Sequence, residues 1–235
     1  MRILTGTSGF AYKEWKGGFY PADLPRTAML QFYAGRFAAV EINHTFYRMP
    51  SETVLRQWAD EVPHGFLFAL KASQQITHRK RLRDVDGAVR HFFGVARSLE
   101  DHLGPVLFQL PPNMKKDVQR LDEFLGLIPP GIRAAFEFRN DSWFDEQVFE
   151  SLRSRGAALC IAHGEGHDAP LVATADWGYL RLRQVDYDET AIADWARRIR
   201  EQEWSEAYVF FKHEDTGTGP TLARGLAELF LEAST

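Results

Sequence analysis

The sequence predicts a single (β/α)8 barrel of the TIM type, and three observations predict it. Eight short apolar segments recur along the chain, amphipathic stretches lie between most of them, and no linker or low-complexity segment divides the 235 residues. Eight units in that length average about 29 residues each, the size of one strand, one helix and their loops in a compact barrel. Alternating β and α elements at this pace imply parallel strands joined by crossovers. An open doubly wound sheet is the alternative that pattern alone leaves standing.

The eight expected strands are Ile3–Thr7, Ala38–Asn43, Phe66–Lys71, Pro105–Leu110, Ala134–Arg139, Ala157–Ala162, Gly178–Arg183 and Ala207–Lys212. They are rich in β-branched and aromatic residues. The first helix has Leu30, Tyr33 and Phe37 on one face. The second follows Ser51, a suitable N-cap, and carries Val54, Leu55 and Trp58. Val85, Val89, Phe92, Phe93, Ala96 and Leu99 mark the third. The fourth follows Asp117 and is stopped by Pro129-Pro130. Phe144, Val148 and Leu152 mark the fifth, with Gly156 as its C-cap. Ile192, Trp195 and Ile199 mark another, and Leu222, Leu226, Leu229 and Phe230 close the chain behind Pro220. The apolar spacing in each is that of an amphipathic helix. Residues 163–177, with two glycines and a proline, show no full helix, so the outer helix set is expected to be incomplete after the sixth strand.

Composition narrows the class. A net charge of −4 argues against a polycation seeking nucleic acid. The one cysteine, Cys160, sits in an apolar run and permits no intramolecular disulfide. That suits a reducing compartment and excludes a structural zinc site built on cysteines. No stretch approaches the ~20 apolar residues of a membrane span, and the amino terminus does not read as a signal peptide. The expected location is cytoplasmic.

Alternate residues of a barrel strand point inward or toward the helices. That parity turns Glu41, Asn43, Lys71, Gln109, Glu137, Arg139, Tyr179, Arg181, Arg183 and Lys212 inward, nearly all late in their strands, where barrel enzymes place their sites. Buried charges need partners; Glu137 with Arg181 and Glu41 with Lys71 are the expected pairs. Five cations against two carboxylates favour an anionic ligand, and arginine grips phosphate or carboxylate with two parallel bonds. An internal salt-bridge network that only supports the barrel is the plainer alternative. Glu41 and Glu137 are the candidate acid–base pair.

Other features are weaker. The aromatic loop from Ser8 to Pro21 reads as a packed lid or a stacking platform, and lacks the Gly-Lys-Ser/Thr of a phosphate loop. His78-Arg79-Lys80-Arg81-Leu82-Arg83 reads as a solvated face or a phosphate grip. His44, His163 and His213 follow strands without metal-ligand spacing, so no metal is assigned. Ser8 has no nucleophile-elbow context. The cofactor is left unknown.

Several strings in order are more specific: Thr7-Ser8-Gly9-Phe10, Glu41-Ile42-Asn43-His44-Thr45-Phe46-Tyr47, Phe68-Ala69-Leu70-Lys71-Ala72-Ser73, Gln109-Leu110-Pro111-Pro112, Glu137-Phe138-Arg139-Asn140-Asp141-Ser142-Trp143, Thr174-Ala175-Asp176-Trp177 and Tyr179-Leu180-Arg181-Leu182. Over essentially the whole chain the sequence resembles the domain of unknown function 72 family, the YecE-like proteins. The resemblance implies this barrel and no established activity. Tyr47 and Trp143, in the second and fifth strings, join Asn43, Lys71, Gln109, Arg139, Arg181, Arg183 and Lys212 as candidate ligand contacts. The chain departs from the family pattern at Arg183-Gln184, where His-Gly is usual, and at Phe211-Lys212-His213, where Phe-Asn-Asn is usual. Both changes add positive charge.

Three functions stay open. The first is an enzyme acting on a small phosphate- or carboxylate-bearing molecule, with Arg139, Arg181 and Lys71 binding the anion. The second is a nucleic-acid-binding or repair protein, by likeness to the wider barrel group of endonuclease IV and xylose isomerase. The third is a non-catalytic binding module. Charge placement puts a small anion ahead of nucleic acid as partner, with no membrane. Oligomeric state is open.

Overall fold

Eight strands form one parallel sheet: β1 (Arg2–Thr7), β2 (Ala39–Ile42), β3 (Leu67–Lys71), β4 (Leu103–Gln109), β5 (Ala134–Glu137), β6 (Ala158–His163), β7 (Trp177–Leu182) and β8 (Glu206–Phe211). The computed structural model describes the chain except for Glu165, Val185, residues 213–216 and residues 233–235. His213 lies outside the described residues. The strand order is β1-β8-β7-β6-β5-β4-β3-β2, so the sheet curls until its two edge strands face each other. This nearly closed barrel, not an open doubly wound sheet, is the fold.

The inward residues follow the expected parity. Leu4, Ala39, Ala69, Leu107, Ala135, Cys160, Tyr179, Tyr208 and Phe210 make a separate inner core. Outward residues such as Val40, Phe68, Phe108, Phe136, Leu180 and Val209 join the helices in the larger outer core. The small inner residues Ala39, Ala69, Ala135 and Cys160 leave room for the large rings of Tyr179, Tyr208 and Phe210 from β7 and β8.

The outer helices are α1 (Met29–Ala34), α2 (Glu52–Glu61), α3 (Asp86–Ala96), α4 (Val118–Leu125), α5 (Glu146–Arg153), α6 (Glu189–Arg200) and α7 (Thr218–Glu232). Ser51 and Asp117 cap α2 and α4 as their sequence positions suggest, accepting from Val54 N and Arg120 N. Two boundaries differ from expectation. Helix α4 ends at Leu125, before the prolines are reached. Helix α5 starts only after Asp145, whose carboxylate caps it, and its C-cap is Ser154, with Gly156 in the left-handed region two residues on. Between β6 and β7 no helix occurs among the described residues.

The junction of β1 and β2 is built differently from the other seven. Among the described residues it holds one isolated bridge, Ser8 to Glu41, with the Gly9 amide donating to the Glu41 carbonyl at 2.8 Å. Below it the Tyr33 hydroxyl spans the gap: it accepts from the Thr7 amide at 2.8 Å and donates to the Ala39 carbonyl at 3.2 Å. Gly6 is required here, because a Cβ would stand 2.0 Å from the Ala39 carbonyl oxygen. The seam lies directly beneath the candidate site.

Candidate functional site

Strands β2, β3, β4, β5 and β7 deliver polar side chains to the carboxyl-terminal mouth of the barrel. At its centre is Arg181 of β7, fully buried. Its Nη1 donates to Glu137 Oε2 at 2.5 Å and its Nη2 to Glu41 Oε1 at 2.8 Å. One guanidinium therefore spans both carboxylates, which are themselves buried.

Each carboxylate has a full set of donors. Glu41 also accepts from Ser8 Oγ at 2.7 Å, Asn43 Nδ2 at 3.0 Å and Tyr179 OH at 2.8 Å. Glu137 also accepts from Gln109 Nε2 at 2.8 Å and Arg139 Nε at 2.9 Å, and Arg183 Nη1 lies 3.9 Å from it. Burial pushes both carboxyl pKa values up. The Arg181 charge and these hydrogen bonds outweigh it, and both groups are held below the usual carboxylate range.

Lys71 of β3 is treated differently. Its Nζ donates to Gln109 Oε1 at 2.9 Å and lies 4.3 Å from the centre of the Phe46 ring. The expected pair of Glu41 with Lys71 does not form, because Arg181 and three neutral donors fill the space around Glu41. No carboxylate lies within 4 Å of Lys71 Nζ among the described residues. Burial, and next the Arg181 charge, push the Lys71 pKa down to about 8.

The remaining expected contacts separate into groups. Asn43, Gln109, Arg139 and Arg183 join the network just described. Lys212 follows β8 and is half-buried. Tyr47 is 70% exposed on the rim beside Phe46. Trp143 is a correction: it is fully buried, stacks on the outward-facing Phe138 at 4.8 Å, and donates its indole N–H to the Met114 carbonyl. Neither ring face nor donor is left for a ligand.

Sequence reasoning missed three contributors. Ser8 matters as a donor to Glu41. Phe46 forms the wall beside Lys71. His78 packs edge-on against Phe46 at 4.8 Å. Strand parity already turns Tyr179 inward. His78 heads the basic run that the sequence marks, but its place against Phe46 is set by a π-helical turn over Gln75–Arg79.

The first loop serves mainly as packing. Trp15 and Tyr20 are buried among Phe19, Phe32 and Phe37. Phe10 and Tyr12 instead line a groove of about 880 Å³ outside the seam, together with Arg48 and Trp58. Asn43 lines this groove as well as bonding Glu41. In the basic run, Arg81 donates to Asn113 and Arg83 lies 4.0 Å from Asp117, while Arg79 and Lys80 are exposed. No helix is long and apolar enough to cross a membrane among the described residues.

The family described as "Protein of unknown function DUF72" matches residues 4–235. The chain belongs to the DUF72 family. A curated relative, UPF0759 protein YunF of Bacillus subtilis, is 26% identical over 97% of this chain and 94% of its own length. Among solved structures, a DUF72 family protein of Thermotoga maritima has 25% identity and a TM-score of 0.85, covering 98% of this chain and all of that one. A second, from Enterococcus faecalis, has 18% identity and a TM-score of 0.83, covering 97% of this chain and 95% of that one. These DUF72 neighbours share the barrel described above, which positions the Glu41–Arg181–Glu137 network in this chain.

Proposed function

We infer that the barrel mouth binds a small phosphate- or carboxylate-bearing molecule and that the chain is an enzyme acting on it. One observation carries the reading. Arg181 occupies both buried carboxylates, and the nearly buried ammonium of Lys71 is given a neutral amide instead of a counter-ion. An ammonium held at a mouth without its own carboxylate is a natural seat for an anion. Glu41 and Glu137, each ionised and fully hydrogen-bonded, are best suited to fixing Arg181 in place rather than to carrying protons. Asn43, Arg139 and Arg183, at the upper edge of the same network, then shape the entrance.

A thermal-shift titration at low salt tests it, using inorganic phosphate, sugar phosphates, sugar acids and a DNA oligomer, with Lys71→Met beside the wild type. A ligand present at a hundred times its Kd stabilises by about 2.7 kcal/mol, and hits are then followed for turnover. Stabilisation by a small anion, lost in Lys71→Met, is the expected result. Stabilisation only by DNA, fading as salt rises, would overturn it in favour of a nucleic-acid partner.

A further inference from the structure

We propose that Lys71 is a nucleophile whose ε-amino group condenses with the carbonyl of a small anionic aldehyde or 2-oxo acid and holds it as an imine. This deepens the anion-binding reading, on which it rests for the charge of the substrate, by naming the reacting group at the same mouth.

The geometry around Lys71 is what such a role needs. The residue ends β3 on the inner face and is 9% exposed. Its hydrogen-bond acceptor is an amide oxygen, and that amide cannot turn over. Gln109 Nε2 is committed to Glu137, so Oε1 must face the amine. A lysine kept for a structural charge is normally set on a carboxylate, because a desolvated ammonium without one is costly. Here burial is retained and the carboxylate is withheld, which leaves the ammonium to draw in the anion and enlarges the neutral, nucleophilic fraction that reacts with it.

The wall opposite is equally specific. The Phe46 ring lies under Lys71 Nζ and makes a T-shaped contact with His78. His78 is placed by the π-helical turn Gln75–Arg79, and Arg81, Leu82 and Asp84 just beyond it adopt left-handed backbone angles that non-glycine residues rarely take. Strained backbone of this kind persists only where the surrounding structure over-determines it.

The chemistry balances without an oxidant or reductant. The amine lone pair forms a C–N bond to the carbonyl carbon as the C=O π pair moves to oxygen. Oxygen gains a proton, nitrogen loses one, and a carbinolamine results. That oxygen takes up a second proton and leaves as water, driven by the nitrogen lone pair, and the nitrogen gives up its remaining proton to leave the imine. One amine and one carbonyl become one imine and one water.

The charged groups that set the amine's titration come from several elements: Arg181 from β7, Glu137 from β5, Glu41 from β2 and Arg183 after β7, with His78 from the turn after β3. With its pKa at about 8, the fraction of neutral amine near pH 7 exceeds that of an ordinary lysine on the order of a hundredfold.

The test is reductive trapping. The full chain is incubated separately with pyruvate and glyoxylate, reduced with sodium borohydride, and mapped by peptide mass spectrometry. The expected reduced adduct sits on Lys71, favoured at least about tenfold over each of the other six lysines, and is absent from that site in Lys71→Arg. In Gln109→Met, which removes the oxygen that accepts from the ammonium, the pH midpoint of labelling should move downward, a change that a merely structural lysine would not report. Adducts spread over exposed lysines with Lys71 unmodified by either probe would overturn the proposal, as would an unmoved midpoint in Gln109→Met. Lactate, which has the carboxylate but no reactive carbonyl, separates the two readings. Stabilisation by lactate without trapping at Lys71 defeats the nucleophile alone. Trapping at Lys71 with neither lactate protection nor stabilisation defeats the anion reading and leaves the nucleophile standing.

Discussion

Replacing Arg181 with methionine should be far more damaging than its single position suggests, and the damage should depend on pH in a particular direction. The side chain is fully buried and neutralises two buried carboxylates. Glu137 would keep Arg139 at 2.9 Å. Among the described residues Glu41 would keep Ser8, Asn43 and Tyr179, all neutral. Removing one partner of a buried ion pair costs about 3–5 kcal/mol, against a total stability of about 5–15 kcal/mol for a native domain. In the wild type both carboxyls titrate below their unfolded value. Their contribution is thus present above about pH 4.3 and is lost as pH falls through the lower folded values. In the variant, burial acts on Glu41 without Arg181, so its folded pKa rises above the unfolded one. Stability is then greatest at low pH and is lost as pH rises through the raised value. Urea unfolding at a series of pH values should show a gap between the two proteins that is widest near neutrality and narrows on acidification. Adding Glu41→Gln to the variant should restore most of the loss, and adding Glu137→Gln should restore less. A loss under about 1 kcal/mol at neutral pH, or a gap that does not change with pH, would refute the reasoning and mean that solvent reaches these carboxylates.

Two further outcomes follow from the fold. Tyr33→Phe removes the hydroxyl between Thr7 and Ala39 and should cost about 1–3 kcal/mol, with faster hydrogen exchange at the Thr7 amide as the local readout; unchanged protection there would show that the seam closes without it. Trp143→Ala should cost about 3–5 kcal/mol in chemical unfolding through lost packing on Phe138, while anion affinity of the folded protein stays put; weakened binding without destabilisation would return Trp143 to the ligand.

Most of the barrel was legible because a strand's period of two is written directly in the residues. Leu107 and Gln109 share one parity and Phe108 the other, and the structure turns them to opposite faces. Ser51 and Asp117 announced their helices by the same local logic. What stayed hidden was distance across the ring. Parity turned Glu41, Lys71 and Arg181 inward alike, but which carboxylate reaches which cation depends on the height of each strand in the barrel and on side-chain length. The longer Arg181 reached both carboxylates and left Lys71 to Gln109. Trp143 misled for a related reason. The strand ends at Glu137, and the short turn over Asp141–Trp143 folds the indole back onto Phe138, away from the mouth. His78 depended on a π turn that no periodicity encodes.

Backbone ladders are largely indifferent to which residues occupy them, since every residue but proline carries the same donor and acceptor. Seven junctions of this barrel are ladders of that kind. The eighth is spelled out in identities: a glycine that lets two strands touch, a phenol that substitutes for peptide groups, and a serine hydroxyl on a glutamate. Closure of the ring at this junction therefore depends on side-chain identity as well as on its backbone bridge. Glu41 sits in both systems, its carbonyl latching the seam and its carboxylate anchoring Arg181. A drift in sequence that loosened the latch would reach the mouth through the same residue.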